Sequence, residues 1–133
     1  MRVVLDTNIF VSGIHWAGAS ENILRAWMNK EFDLISSLSI IEELVRILIS
    51  FKVPLEPEDI SWWESLILEK SIIVVPTKKV NAVIDPDDNK FVEAALEGKA
   101  EYIVSQDKHL LTLGEYLGIK VLHPNEFLKI LND

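Results

Sequence analysis

The run Val3-Val4-Leu5-Asp6 constrains this chain more than any other stretch. A short apolar run bounded by polar residues reads as a buried strand. The carboxylate that ends it lies where open α/β sheets place their ligand crevices. Thr7 and Asn8 follow before the next apolar residues, so the chain leaves the strand through polar positions.

The segments that follow alternate between strand-like and helix-like patterns. Strands are expected over residues 2–6, 33–36, 72–75, 102–105 and 119–122. A turn is expected over residues 10–13. A helix capped by Ser20 then runs to about Asn29, and further helices are expected over 38–50, 58–70, 110–116 and from Pro124 to near Leu131. Asp85 as cap and Pro86 at the first position open one more helix, which Gly98 ends. Residues 78–84 read as loop. Alternation of this kind predicts an α/β fold in which helices cover both faces of a parallel sheet of about five strands. The strand order is not readable from the pattern.

At 133 residues the chain is expected to form one domain spanning 1–133, large enough to fold without a disulfide or structural metal. It has no cysteine, which fits a reducing, cytoplasmic setting and excludes thiolate metal sites. No secretory leader and no membrane-length apolar run is evident, so no membrane partner is expected. The 49% hydrophobic content suggests that some apolar surface covers a partner or a second copy. The net charge of −8 argues against a passive nucleic-acid clamp. It argues less against an enzyme whose acids gather around cations, because bound cations reverse the local field.

Four acids stand at positions that can converge: Asp6, Glu43, Asp88 and Asp107. At about 100° per residue, Ser39, Glu42, Glu43, Arg46 and Ser50 form one narrow polar stripe on a helix otherwise apolar and therefore expected to be largely buried. Each acid also has a plainer role. Asp6 and Asp107 could cap the turns they precede. Glu43 could be a solvated partner of Arg46. Asp88 lies three residues after Asp85, close to a capping box. Yet Asp85, Asp87 and Asp88 exceed what capping needs, and Asp6 and Asp107 follow two strands in equivalent places. Two like charges about 4 Å apart repel by about 4 kcal/mol at an effective dielectric near 20, so a converged cluster calls for a cation or a proton. Oxygen-only ligands select Mg²⁺ or Mn²⁺, which suit phosphoryl chemistry. His15, His109 and His123 show no ligand spacing, and Trp62-Trp63 reads as core or interface.

In these motifs the chain resembles the PIN-domain family, in particular its VapC-like members, the toxin components of prokaryotic toxin–antitoxin pairs. The resemblance rests on Leu5-Asp6-Thr7-Asn8, on Ser39 through Glu43-Leu44, on Asp85-Pro86-Asp87-Asp88-Asn89-Lys90-Phe91 with Ala94-Ala95, and on Ile103-Val104-Ser105-Gln106-Asp107. It implies a three-layer α/β/α sandwich with sheet order 3-2-1-4-5. It also implies a Mg²⁺- or Mn²⁺-dependent endoribonuclease that hydrolyses RNA phosphodiesters with a metal-activated water. Asp6, Glu43, Asp88 and Asp107 would hold the metal, and Asn8 and Ser105 would orient ligands or water. Arg46, Lys90 and Lys108 are candidate phosphate contacts. Gln106 stands where the family usually has glycine, so a positive φ there would force a different turn. A small antitoxin and a homo-oligomer are the expected partners, with Trp16, Phe51, Trp62 or Trp63 marking a groove or dimer face. The alternative is a PIN fold kept as a protein- or RNA-binding module without turnover. An aspartyl-phosphate phosphatase is disfavoured, because Asn8 stands where such an enzyme needs its second acid.

Overall fold

Five parallel strands and one antiparallel edge strand make a single sheet in the computed structural model, which describes residues 1–133. The strands are β1 (Arg2–Leu5), β2 (Asp33–Ser36), β3 (Ile72–Ile73), β4 (Tyr102–Val104), β5 (Glu115–Tyr116) and β6 (Ile119–Leu122). Their order is β3-β2-β1-β4-β6-β5. The five parallel strands therefore follow the expected 3-2-1-4-5 order, with β6 in the fifth place. Seven helices connect and cover them: α1 (Thr7–His15), α2 (Ala19–Met28), α3 (Leu38–Ser50), α4 (Pro57–Lys70), α5 (Asn89–Glu97), α6 (Lys108–Leu113) and α7 (Pro124–Asn132). A 3₁₀ turn over Pro86–Asp88 precedes α5.

Alternation along β1 divides the core into two layers. Val3 and Leu5 point toward Ile9, Phe10, Ile23, Leu24, Trp27 and Phe127 of α1, α2 and α7. Val4 points the other way, with Ile35 and Ile103, toward Phe91, Val92, Ala95 and Leu110 of α5 and α6. The result is the three-layer α/β/α sandwich expected from the strand–helix alternation.

Four local expectations are corrected. Residues 10–13 are not a turn but the middle of α1. Gly13 permits this, because a Cβ there would stand 2.7 Å from Leu24 Cδ1 and 2.9 Å from the Ser20 carbonyl oxygen. The glycine lets α1 and α2 cross at close range rather than ending a helix. The cap of α2 is Gly18, at φ +140, and Ser20 lies buried in the first turn. The helix α3 has its expected bounds but buries only Ile40, Ile41, Leu44 and Leu48, leaving Leu38 57% and Ile49 67% exposed. Finally, α6 stops at Leu113, and Glu115–Tyr116 forms a hairpin with β6. Its two-residue connection, Leu117-Gly118, has φ of +49 and +86, the positive pair that a tight right-twisted hairpin demands.

Candidate active site

The parallel pairing of β1 with β4 puts Leu5 opposite Val104, so Asp6 and Ser105 leave adjacent strands side by side. The chain runs to β2 on one side of β1 and to β4 on the other, which makes this the topological switch point of the sheet. Asp6 is 4% exposed and Ser105 fully buried. Ser105 Oγ donates to Asp6 Oδ2 at 2.7 Å and accepts from the Asp107 N–H at 2.9 Å. Asp6 Oδ1 accepts from the Asn8 N–H at 3.4 Å. Asn8 therefore reaches Asp6 through its backbone, and its side chain lies in an exposed position.

Asp6 and Asp107 are both helix caps and both members of the acid group. Asp6 caps α1, and Asp107 Oδ1 accepts from the His109 N–H at 2.8 Å at the start of α6. Asp88 is different. The capping of its turn falls to Asp85, whose Oδ1 accepts from the Asp87 N–H at 3.1 Å. The Asp88 side chain makes no cap bond, and its Oδ2 is buried without a hydrogen-bond partner. Its carboxyl faces that of Asp107 instead. Two carboxylates are both acceptors, so only a proton or a cation can reconcile them. Burial pushes the Asp88 carboxyl up to about 7, with the neighbouring Asp107 carboxyl next in effect and Asp6 and Asp85 adding repulsion. Asp6 is also raised, mainly by burial. Bonds from Ser105 and Asn8 oppose that rise, while the charges of Asp107 and Glu43 add to it.

Glu43 reaches the edge of this group from the middle of α3. Its Oε1 accepts from Thr7 Oγ1, and its Oε2 forms an ion pair with Lys90 Nζ, both side chains being mostly buried. The role of Thr7 is not expected from the sequence reading, which gives Asp6 and Asn8 parts in the site and Thr7 none, although a hydroxyl directly after the acid is the available signal. Lys90 was expected to meet phosphate and here meets Glu43. Arg46 lies exposed on α3 beside a groove shared with Glu42, Val45 and Glu64. Lys108 is exposed at the first position of α6. Gln106 is not among the positive-φ residues, so the missing glycine imposes no strain on the turn. His123 caps α7, and His15 bonds the Val11 and Val53 carbonyls.

A family model described as PIN domain matches residues 2–109. The chain belongs to the PIN-domain family. Members of the PIN-domain family are generally nucleases, and those nucleases typically use divalent metals. The chain is 33% identical, over an alignment of 147 positions, to the uncharacterized protein MJ1680 of Methanocaldococcus jannaschii, covering 97% of this chain and 90% of the relative. PIN-like architecture is also seen in solved structures. FitAcB from Neisseria gonorrhoeae matches with a TM-score of 0.55 at 11% identity, over 92% of this chain and 97% of that one. FitAB bound to an IR36 DNA fragment matches with a TM-score of 0.52 at 10% identity, over 92% and 94%.

The residues can be tested against a divalent cation. The oxygen-only donors and the orphaned Asp88 Oδ2 fit a hard cation. As they stand, no three acidic or histidine side chains are arranged to hold a metal ion, and Glu43 is turned to Lys90 instead. Asp6, Asp88 and Asp107 fit by donor type and would have to draw together to share an ion, while Glu43 supplies a donor only if Lys90 releases it.

Proposed function

We propose that this PIN-domain protein is a divalent-metal-dependent endoribonuclease and the toxin of a toxin–antitoxin pair. The observation that carries the reading is the half-buried Asp88 carboxyl, which faces Asp107 and has a buried Oδ2 that nothing in the chain satisfies. Most buried polar groups have a partner, and an oxygen without one beside other acids is where an ion or water would sit. Asp6, Asp88 and Asp107 would hold the cation, with Glu43 joining after exchange of its lysine. Mg²⁺ or Mn²⁺ supplies Lewis acidity that activates a water and stabilises the leaving oxygen of a phosphodiester.

The chain's own residues prepare that chemistry. Ser105 fixes the Asp6 carboxylate and the turn to Asp107 through one buried hydroxyl. Thr7 fixes Glu43. Burial and the neighbouring Asp107 favour a proton on the Asp88 carboxyl, and a cation held there would take that proton's place between the two acids, releasing it to solvent. Single-stranded RNA is the proposed substrate because its backbone can reach the acids at the carboxyl ends of β1 and β4 without unwinding a duplex. The toxin assignment rests on the order of the four motifs, and FitAB, a two-component assembly among the fold neighbours, gives the form of partner to look for.

The test is cleavage of single-stranded RNA in Mn²⁺ by wild type, Asp6→Asn and Asp88→Asn. Loss of cleavage in both variants supports the reading, and full activity in both ends it. Growth arrest on expression, relieved by the product of an adjacent reading frame, tests the toxin assignment.

A further inference from the structure

We propose that a lysine-lined trough beside the acids receives the backbone of single-stranded RNA, with Lys78 and Lys79 as its phosphate contacts. The proposal rests on the nuclease reading for the identity of the strand, and it concerns how that strand is held.

The trough is built by a loop without regular structure that is nonetheless fixed. Three side chains of α5, spaced four residues apart and so on one helix face, hold its backbone. Asn89 Oδ1 accepts from the Ala82 and Val83 N–H groups at 3.0 and 2.9 Å. Glu93 Oε2 accepts from the Val80 N–H at 3.0 Å. Glu97 Oε1 accepts from the Thr77 N–H and hydroxyl at 2.9 and 2.8 Å. Held in this way, the loop presents its lysines without paying to order itself on binding.

Between this loop and the start of α3 lies a cavity of about 280 Å³, lined by Lys78, Lys79 and Lys90 with the Ser39 and Thr77 side chains. A second hollow of about 510 Å³ shares Ser39, Lys79, Lys90 and Glu93 with it and extends to Pro86 and Asp87. The two hollows adjoin along these shared residues, and Lys90 reaches from their lining to Glu43 at the edge of the acid group. The ion pairs of the chain are Arg25–Glu21 and Lys90–Glu43; Lys78 and Lys79 are in neither, and Lys78 only adds, from a distance, to the lowering of the exposed Glu97 carboxyl by its Thr77 bonds. Three lysines gather here in a chain of 13 bases and net charge −8; Lys90 is neutralised by Glu43, and Lys78 and Lys79 stand beside Glu93 as the cations left for a ligand. The positive end of α3, a 13-residue helix, closes one side of the trough.

The shape selects a single strand. Leu38 and Val75, 57% and 78% exposed at the cavity, offer apolar surface for an unstacked base, which a duplex does not present. An acidic peptide is the competing occupant. It lacks bases for that apolar surface.

Binding of a fluorescent, non-cleavable single-stranded RNA oligonucleotide, measured without divalent metal, tests the proposal. Wild type is compared with Lys78→Ala/Lys79→Ala, and polyglutamate is the competitor. Two lost single-strand phosphate contacts lower the slope of log K against log salt by about 1.4, so the defect grows about 25-fold between about 1 M and about 0.1 M salt. Unchanged affinity and salt slope in the double variant overturn the proposal, as does polyglutamate displacing the oligonucleotide at equal charge concentration. If wild type cleaves RNA while the double variant binds normally, the trough fails and the nuclease stands. If wild type binds through these lysines yet never cleaves in Mn²⁺, the trough stands and the nuclease fails.

Discussion

Ser105 Oγ bonds Asp6 Oδ2 at 2.7 Å across 99 residues of sequence, and the same hydroxyl accepts the Asp107 N–H. One buried oxygen therefore sets two acids from two strands. Replacing Ser105 with alanine removes the donor to a buried carboxylate and the acceptor for a backbone N–H. The expected cost is about 1–3 kcal/mol in urea unfolding, with weaker Mn²⁺ binding, and Ser105→Thr should recover part of both.

The raised Asp88 carboxyl makes stability depend on pH in a definite direction. Its value rises from 3.8 to about 7 on folding. Between those values the folded chain binds more protons than the unfolded chain, so stability falls as pH rises through that window. Metal-free protein should melt at progressively lower temperature from about pH 4 to about pH 7. Asp88→Asn should flatten this slope and melt roughly 3 °C or more above wild type at pH 8. A calorimetric pH series checks both.

Under the proposed metal binding, Lys90 would compete with the cation for Glu43. In Lys90→Met the metal-free protein loses a mostly buried ion pair and should be destabilised by about 1–3 kcal/mol. The added stabilisation by Mn²⁺ should be larger than in wild type, because Glu43 no longer has to exchange a partner. Thermal melts with increasing Mn²⁺ separate the two effects.

Much of this architecture was legible because the fold obeys local rules. The strand at Asp33–Ser36 and the helices at 38–50 and from Pro124 carry clear periodicity or caps, and the structure keeps them. The first helix was hidden by Gly13, which looks like a breaker but serves close packing against Leu24. The hairpin strand at Glu115–Tyr116 is two residues long, too short for any period to show. At the site, the acids stand in their motifs, but Asp88 looks like a capping residue in sequence, and only the structure gives that role to Asp85. The Lys90–Glu43 pair joins residues 47 apart with no local signal. Nothing along the chain could reveal that Glu43 would already hold a counter-ion.

The face of α5 that holds the lysine loop yields its own prediction. Asn89→Ala removes two bonds to the backbone at Ala82 and Val83. Global stability should fall by about 1–3 kcal/mol, and limited proteolysis should cut the 77–84 segment sooner than in wild type.

The central claim is that Asp6, Asp88 and Asp107 share a divalent cation, and calorimetric titration of Mn²⁺ at pH 7.5 tests it most directly. Wild type should bind, and Asp88→Asn should bind at least about tenfold more weakly, because it removes a donor oxygen and leaves an amide in its place. Equal binding by the two proteins, or no binding by wild type, would contradict the account.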